Sequence, residues 1–386
     1  RRTIEESLRS PENETRIEVI GKELAPLEKQ LKDIPQGELV YAAATQFNQA
    51  GSFRPTGGKP RAIHVLHRGD LKAPGEAVAP GAVPLWPGAP ETFPGFTTEA
   101  WDEGKARAEL ADTLVQNDNP LVWRSIANRL WQWTMGAPLA GTPNDFGRGG
   151  LKPTHPELLD FLAASLRDDP KQSMKSIVRL IVTSETYRRS SGHDEKNAAI
   201  DGNNAYLWRA NRRRLSAEEF RDSVLAVSGK LNPERGGKPF QDFIIEKPEH
   251  SPHYQYHLHD PNDPASHRRT IYRFVVRSQP QPMLTTLDCA DPSMSVPARD
   301  ESTTALQALT QWNSRFVEAM AVHFGERLKK EEPESPEEKV DLAFRLATGR
   351  VASPEEREVL VAHLNTHGES SLARVVMNLN SFVYVD

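Results

Sequence analysis

A chain of 386 residues is long enough to bury a substantial core and to hold two or three domains. Its 48 basic and 53 acidic residues are well mixed and leave a net charge of −5, which argues against a general nucleic-acid or membrane-surface binder. No apolar run reaches the roughly 18 residues that cross a bilayer. The 30 prolines and 24 glycines separate clear apolar periodic segments, so they read as long ordered loops rather than disorder. Cys289 is the only cysteine, which excludes an internal disulfide and any Cys-x-x-Cys-His attachment of covalent haem. A lone cysteine fits the cytoplasm or a secreted protein without disulfides. Arg1 opens directly into a charged helical pattern, which reads as the interior of a longer protein.

In residues 1–34, Ile17, Ile20, Leu24, Leu27 and Leu31 make a narrow 3-4 seam, the pattern of a helical hairpin or short coiled coil. Leu39 to Phe47 and Ala62 to Leu66 have strand character and could pair across the loop between them. Residues 70–100 read as an extended Pro-rich segment lying on another domain. Helices are expected over Lys105 to Val115 and from Pro120, capped by Asn119, to Met135 before Gly136. A third is expected to start at a Thr154/Glu157 capping box, and a fourth to span Met174 to Tyr187. A second box, Ser216 with Glu219, opens Ala217 to Gly229. After an irregular stretch with a strand at Thr270 to Val276, one long helix is expected over Thr303 to Lys330. Shorter ones follow at Pro336 to Thr348, Pro354 to Thr366 and Ser371 to Leu379.

Five groups could carry chemistry. His250, His253, His257, His259 and Asp260 crowd eleven residues. Imidazoles and a carboxylate suit Zn, Cu, Fe or Ni, and an extended chain would set His257 and His259 on one side. The same loop also reads as polar surface. Asp145 with His155 could form an acid–base pair, or serve only as turn and helix-start residues. Arg209, Arg212, Arg213 and Arg214 could line an anion pocket, or join helices through ion pairs with Glu218, Glu219 and Asp222. The polar run from Asp288 through Asp291, Arg299, Thr303, Thr304 and Gln307 to Asn313 enters a helix that Ser302 or Thr303 could cap. It could dock an anionic or hydroxyl-rich ligand, and Asp288 and Asp291 could ligate a hard cation such as Ca²⁺. Cys289 reads as a buried structural thiol rather than a nucleophile. Trp123, Trp131 and Trp133 could stack sugar rings, although at helical spacing such a stripe more often belongs to the core.

The ordered blocks RAIHVLHRGD (61–70), NPLVWRSIANRLWQ (119–132), TPNDFG (142–147) and PTHPELLDFLA (153–163) continue downstream with LIVTSETYRRSS and NRRRLSAEEFRDSVLAVSG. They are followed by RRTIYRFVVRS, DPSMSVPARDESTTALQALTQWNSRFV and the terminal NLNSFVYVD. Over 61–386 this series resembles the planctomycete-type PSD domain, found in large secreted proteins of Planctomycetes and Verrucomicrobia that are often fused to a cytochrome c module. The resemblance implies export to the periplasm or beyond, and a place as the C-terminal half of a larger parent. The partners it implies are other domains or chains of that parent. It carries over no active site.

The expected fold is mainly α: an irregular multi-helix domain with long Pro/Gly-rich loops and a small β element. The expected divisions are an N-terminal helical segment (1–36), a β and Pro-rich segment (37–100) and a PSD-like helical domain (101–386). The leading functional expectation is a module that binds or processes a polysaccharide-type ligand. The alternatives are a scaffold without catalysis, and a metal-dependent hydrolase or oxidoreductase using His253, His257, His259 and Asp260.

Overall fold

The structure, a computed structural model, describes residues 10–34, 47–55, 61–98, 101–247, 251–331 and 333–385. It is mainly helical, with thirteen α-helices and three two-stranded antiparallel sheets among those residues. The chain divides into two compact units, residues 1–113 and 114–386.

In the first unit, helix α1 (Pro11–Asp33) starts on a Ser10 cap and buries none of its residues. The expected strand at 39–47 falls mostly outside the described residues. Its suggested partner, β1 (Ile63–Leu66), runs antiparallel to β2 (Pro74–Val78), across a turn closed by the Ala73 N–H on the Asp70 carbonyl. The Pro-rich segment therefore contains a strand, and Gly75 permits it. A Cβ there would come within 2.9 Å of the Val65 carbonyl oxygen. Helix α2 (Glu103–Leu114) follows.

The second unit has two cores. Helices α3 (Pro120–Met135), α4 (Pro156–Asp168) and α5 (Met174–Val182) enclose the first, built on Trp123, Trp131, Leu159, Leu162 and Ile181. Asn119 caps α3 through the Leu121 N–H, and Gly136 ends it at φ 85°, a conformation that needs glycine. The expected Thr154 cap is replaced by His155, which makes no side-chain cap bond, because the Thr154 N–H is drawn to the Leu139 carbonyl.

The larger core joins six helices. They are α7 (Ala217–Val227), α8 (Pro282–Thr286), α10 (Arg315–Lys330), α11 (Pro336–Thr348), α12 (Pro354–Val376) and α13 (Asn380–Val383). Short α6 (Glu195–Ile200) precedes the first of these, and α9 (Ala305–Asn313) precedes α10. Phe220, Phe324, Phe344 and Leu328 are fully buried there. Strand β6 (Tyr384–Val385) returns to pair with β3 (Arg213–Arg214), and β4 (Ile244–Glu246) pairs with β5 (His253–Gln255).

Two expectations are corrected and one is met. Thr303 to Lys330 is two helices, broken at Ser314, whose ψ is 126°. Thr270 to Val276 is a single 3-10 turn leading to an isolated bridge between Phe240 and Arg273, not a strand. The segment Pro354–Val376 is interrupted at Gly368 (φ 78°, ψ 178°), which separates two helical pieces as expected at Pro354 and Ser371.

Candidate functional site

The second unit contains an open cleft of about 850 Å³. Its floor comes from the end of α3 and from β3, and its far wall is the loop 287–301. Helical spacing brings Arg129, Gln132 and Trp133 to one face of α3, and Gly136 then turns the chain away. Trp131 of the tryptophan stripe is in the core, but Trp133 is 66% exposed and lines the cleft.

The Ser216/Glu219 capping box forms as expected, and Glu219 also accepts two bonds from the Arg213 fork, at 2.7 and 2.9 Å. Burial pushes the Glu219 carboxyl up, but the bonds from Arg213 and Ser216 outweigh it and hold its pKa below the usual value. Arg214 is almost fully buried. It donates to the Ser302 carbonyl (2.6 Å) and Gln307 Oε1 (3.0 Å), with Asp288 at 3.4 Å.

Asp288 occupies φ 64° and closes the wall loop at its base. It accepts from the Ser302 N–H and hydroxyl and from Gln307 Nε2, all within 3.0 Å. Burial opposes its charge, yet the Ser302 and Gln307 bonds leave its pKa lowered. Arg299 holds Glu218 at 2.9 Å, and the Cys289 thiol lies 3.5 Å from the same oxygen. Burial, then the Glu218 charge, pushes that thiol up, away from the thiolate a nucleophile needs.

Of the residues singled out in the sequence, Arg213, Asp288, Asp291 and Arg299 meet in this cleft. Thr304 and Gln307 form the capping box of α9, a step later in the chain than the expected Ser302 or Thr303 cap. Thr303 instead bonds the Tyr384 hydroxyl at 3.1 Å. Asn313 and Arg212 are exposed and do not line the cleft. Asp145 lies outside it, accepting from the Gly147 N–H in a turn, and His155 Nδ1 is 3.0 Å from the Thr154 hydroxyl. Gln132 and Glu219 were missed as lining groups. The signal was the three-residue step from Arg129 to Gln132, which sets both on the face carrying Trp133.

The histidine loop departs from its extended expectation. Tyr256–Leu258 is a 3-10 turn, so strand alternation does not set His257 beside His259. His253 is exposed on β5, and Asp260 accepts from the Asn262 N–H. Among the described residues no three His, Cys, Asp or Glu side chains are grouped to hold a metal ion. His250 lies outside the described residues. No helix described is long and apolar enough to cross a membrane.

The cleft sets four arginines against five carboxylates, so its field favours neither sign of ligand. Most of those charges are already engaged, which leaves an exposed indole and open hydrogen-bonding groups as its recognition chemistry. Residues 106–364, which include this cleft, match the family model PSD1, a protein of unknown function (DUF1553), and the chain belongs to that family. No match was found among curated proteins or among solved structures.

Proposed function

We propose that the cleft binds a neutral, hydroxyl-rich ligand of the polysaccharide type. The observation that carries this reading is the exposed Trp133 on the floor of a large cleft with balanced charge. A sugar ring offers an apolar face to an indole and hydroxyls to Gln132, Asp291 and the arginines. On this reading the protein is an exported module acting beside other domains or chains of its parent, among them a cytochrome-type module; support for that setting is the resemblance of its ordered blocks to secreted planctomycete proteins. The cleft carboxylates Glu219 and Asp288 are held below the ordinary carboxylate range, which suits them to fixing the walls of a binding cleft rather than to donating a proton.

Affinity electrophoresis against a panel of soluble polysaccharides tests the reading. Retardation by at least one neutral glycan is expected, with Trp133→Ala weakening it by roughly 1.5–3 kcal/mol, the scale of burying one large apolar side chain. Unretarded migration throughout, or retardation that Trp133→Ala leaves unchanged, would overturn it.

A second reading, an interaction scaffold, rests on α1. Ile17, Ile20, Leu24, Leu27 and Leu31 are all at least 49% exposed along one seam. Such a seam ordinarily packs on another helix.

A further inference from the structure

A second cavity of about 240 Å³ lies apart from the cleft and shares no lining residue with it. The buried arginine Arg221 of α7 lines it, beside His257, His259, Gln281 and the first turn of α10. Arg221 donates to the Arg268 carbonyl (3.1 Å), the Thr270 hydroxyl (3.2 Å) and the Ser266 carbonyl (2.5 Å). A guanidinium carries five N–H donors in a plane, so these three bonds do not exhaust it. Its nearest carboxylate, Asp222, is 4.0 Å away and already accepts from Thr270 and Arg269. Asp242 also lines the cavity, but both its oxygens are held at 2.8 Å by Arg273. The positive charge of Arg221 is therefore buried without a carboxylate of its own. Burial drives its pKa down to about 10, against the charges of Asp242 and Asp222, which raise it.

Two more features face the same way. His259 lines the cavity, and its Nε2 is buried with no protein partner, a costly state that a small turn of the ring towards a ligand oxygen would relieve. Ser314 caps α10 without a side-chain bond, so the first-turn N–H groups there keep their capacity for an acceptor.

We propose that this cavity binds the carboxylate of a small organic acid, held by Arg221 and His259 at the start of α10. The planar fork matches a planar carboxylate. Asp242 on the wall disfavours a dianion, and Pro261, Pro282, Met283 and Phe316 give apolar walls for an organic group. The site is independent of the glycan reading, and either stands if the other fails.

The test is nuclear magnetic resonance of the full chain, labelled with ¹⁵N, titrated with propionate and D-glucuronate. Sodium sulfate and D-glucose are the controls. One saturable site is expected, moving both the His259 Nε2 and Arg221 Nε resonances, with a roughly tenfold weaker Kd in His259→Leu. Arg221 is too deeply bonded to replace without harm to folding, so its own resonance in the unaltered protein is the second readout. Silence of both resonances towards both carboxylates overturns the proposal. So does a response to sulfate alone, or a Kd unchanged in His259→Leu.

Discussion

Arg214 was legible in the sequence only as one of a run of arginines. Ion pairing was one of two uses read for that run, and in the structure Arg213 holds Glu219 while Arg214 approaches Asp288. What the sequence could not supply was the partner 88 residues away, the Ser302 carbonyl. Such long-range bonds follow from tertiary packing and leave no local spacing. Arg214→Met should cost roughly 3 kcal/mol in urea denaturation, because Gln307 Oε1 and the Ser302 carbonyl would lose their buried donor and Asp288 its nearby positive charge. It should also loosen the wall of the cleft, weakening glycan retardation together with stability. The tryptophans show the same limit: their helical period was plain, but which of them faces outward depended on where α4 and α5 pack.

At the scale of elements, caps were the most readable feature. Asn119, Gly136 and the Ser216/Glu219 box stand where local chemistry puts them. The break between α9 and α10 was hidden, since no Gly or Pro marks it and the apolar pattern runs on. Arg374 of α12 explains it physically by taking the Trp312 carbonyl through Nε at 2.9 Å, which satisfies an acceptor at the end of α9. Gly325 records a second close approach. A Cβ there would sit 2.8 Å from the Ser370 N and 3.0 Å from the Glu369 carbonyl carbon, just past the Gly368 break. Gly325→Ala should therefore destabilise the protein by roughly 1–3 kcal/mol by overpacking, whereas the same change at Gly21, with open space around it, should not shift the urea midpoint downward.

Across the whole molecule, the mainly helical class was readable from composition and periodicity, while the small sheets were placed poorly because two- to five-residue strands carry little pattern. Stability should also depend on pH. Glu369 on α12 bonds Lys339 of α11 at 2.8 Å and lies 3.3 Å from Lys329 of α10, and Lys339 leads the groups that lower its pKa from 4.5 to about 2. A carboxyl depressed on folding adds stability above pH 4.5, and that contribution drains away as the pH falls towards 2. Glu369→Gln should flatten the decline of thermal midpoint across that window, removing roughly 1–2 kcal/mol of stability at neutral pH after allowance for solvent screening.

The bonds among Asp288, Ser302, Gln307 and Arg214 cinch the wall loop at its neck, so the loop is a ring whose closure does not depend on what lies inside it. Doubling the length of such a ring adds only about 0.6 kcal/mol of closure entropy. The cleft thus behaves as an exchangeable cassette on a fixed frame. The shape of the cleft can therefore be changed by rewriting or lengthening 289–301, while the helices beneath keep their sequence and their fold.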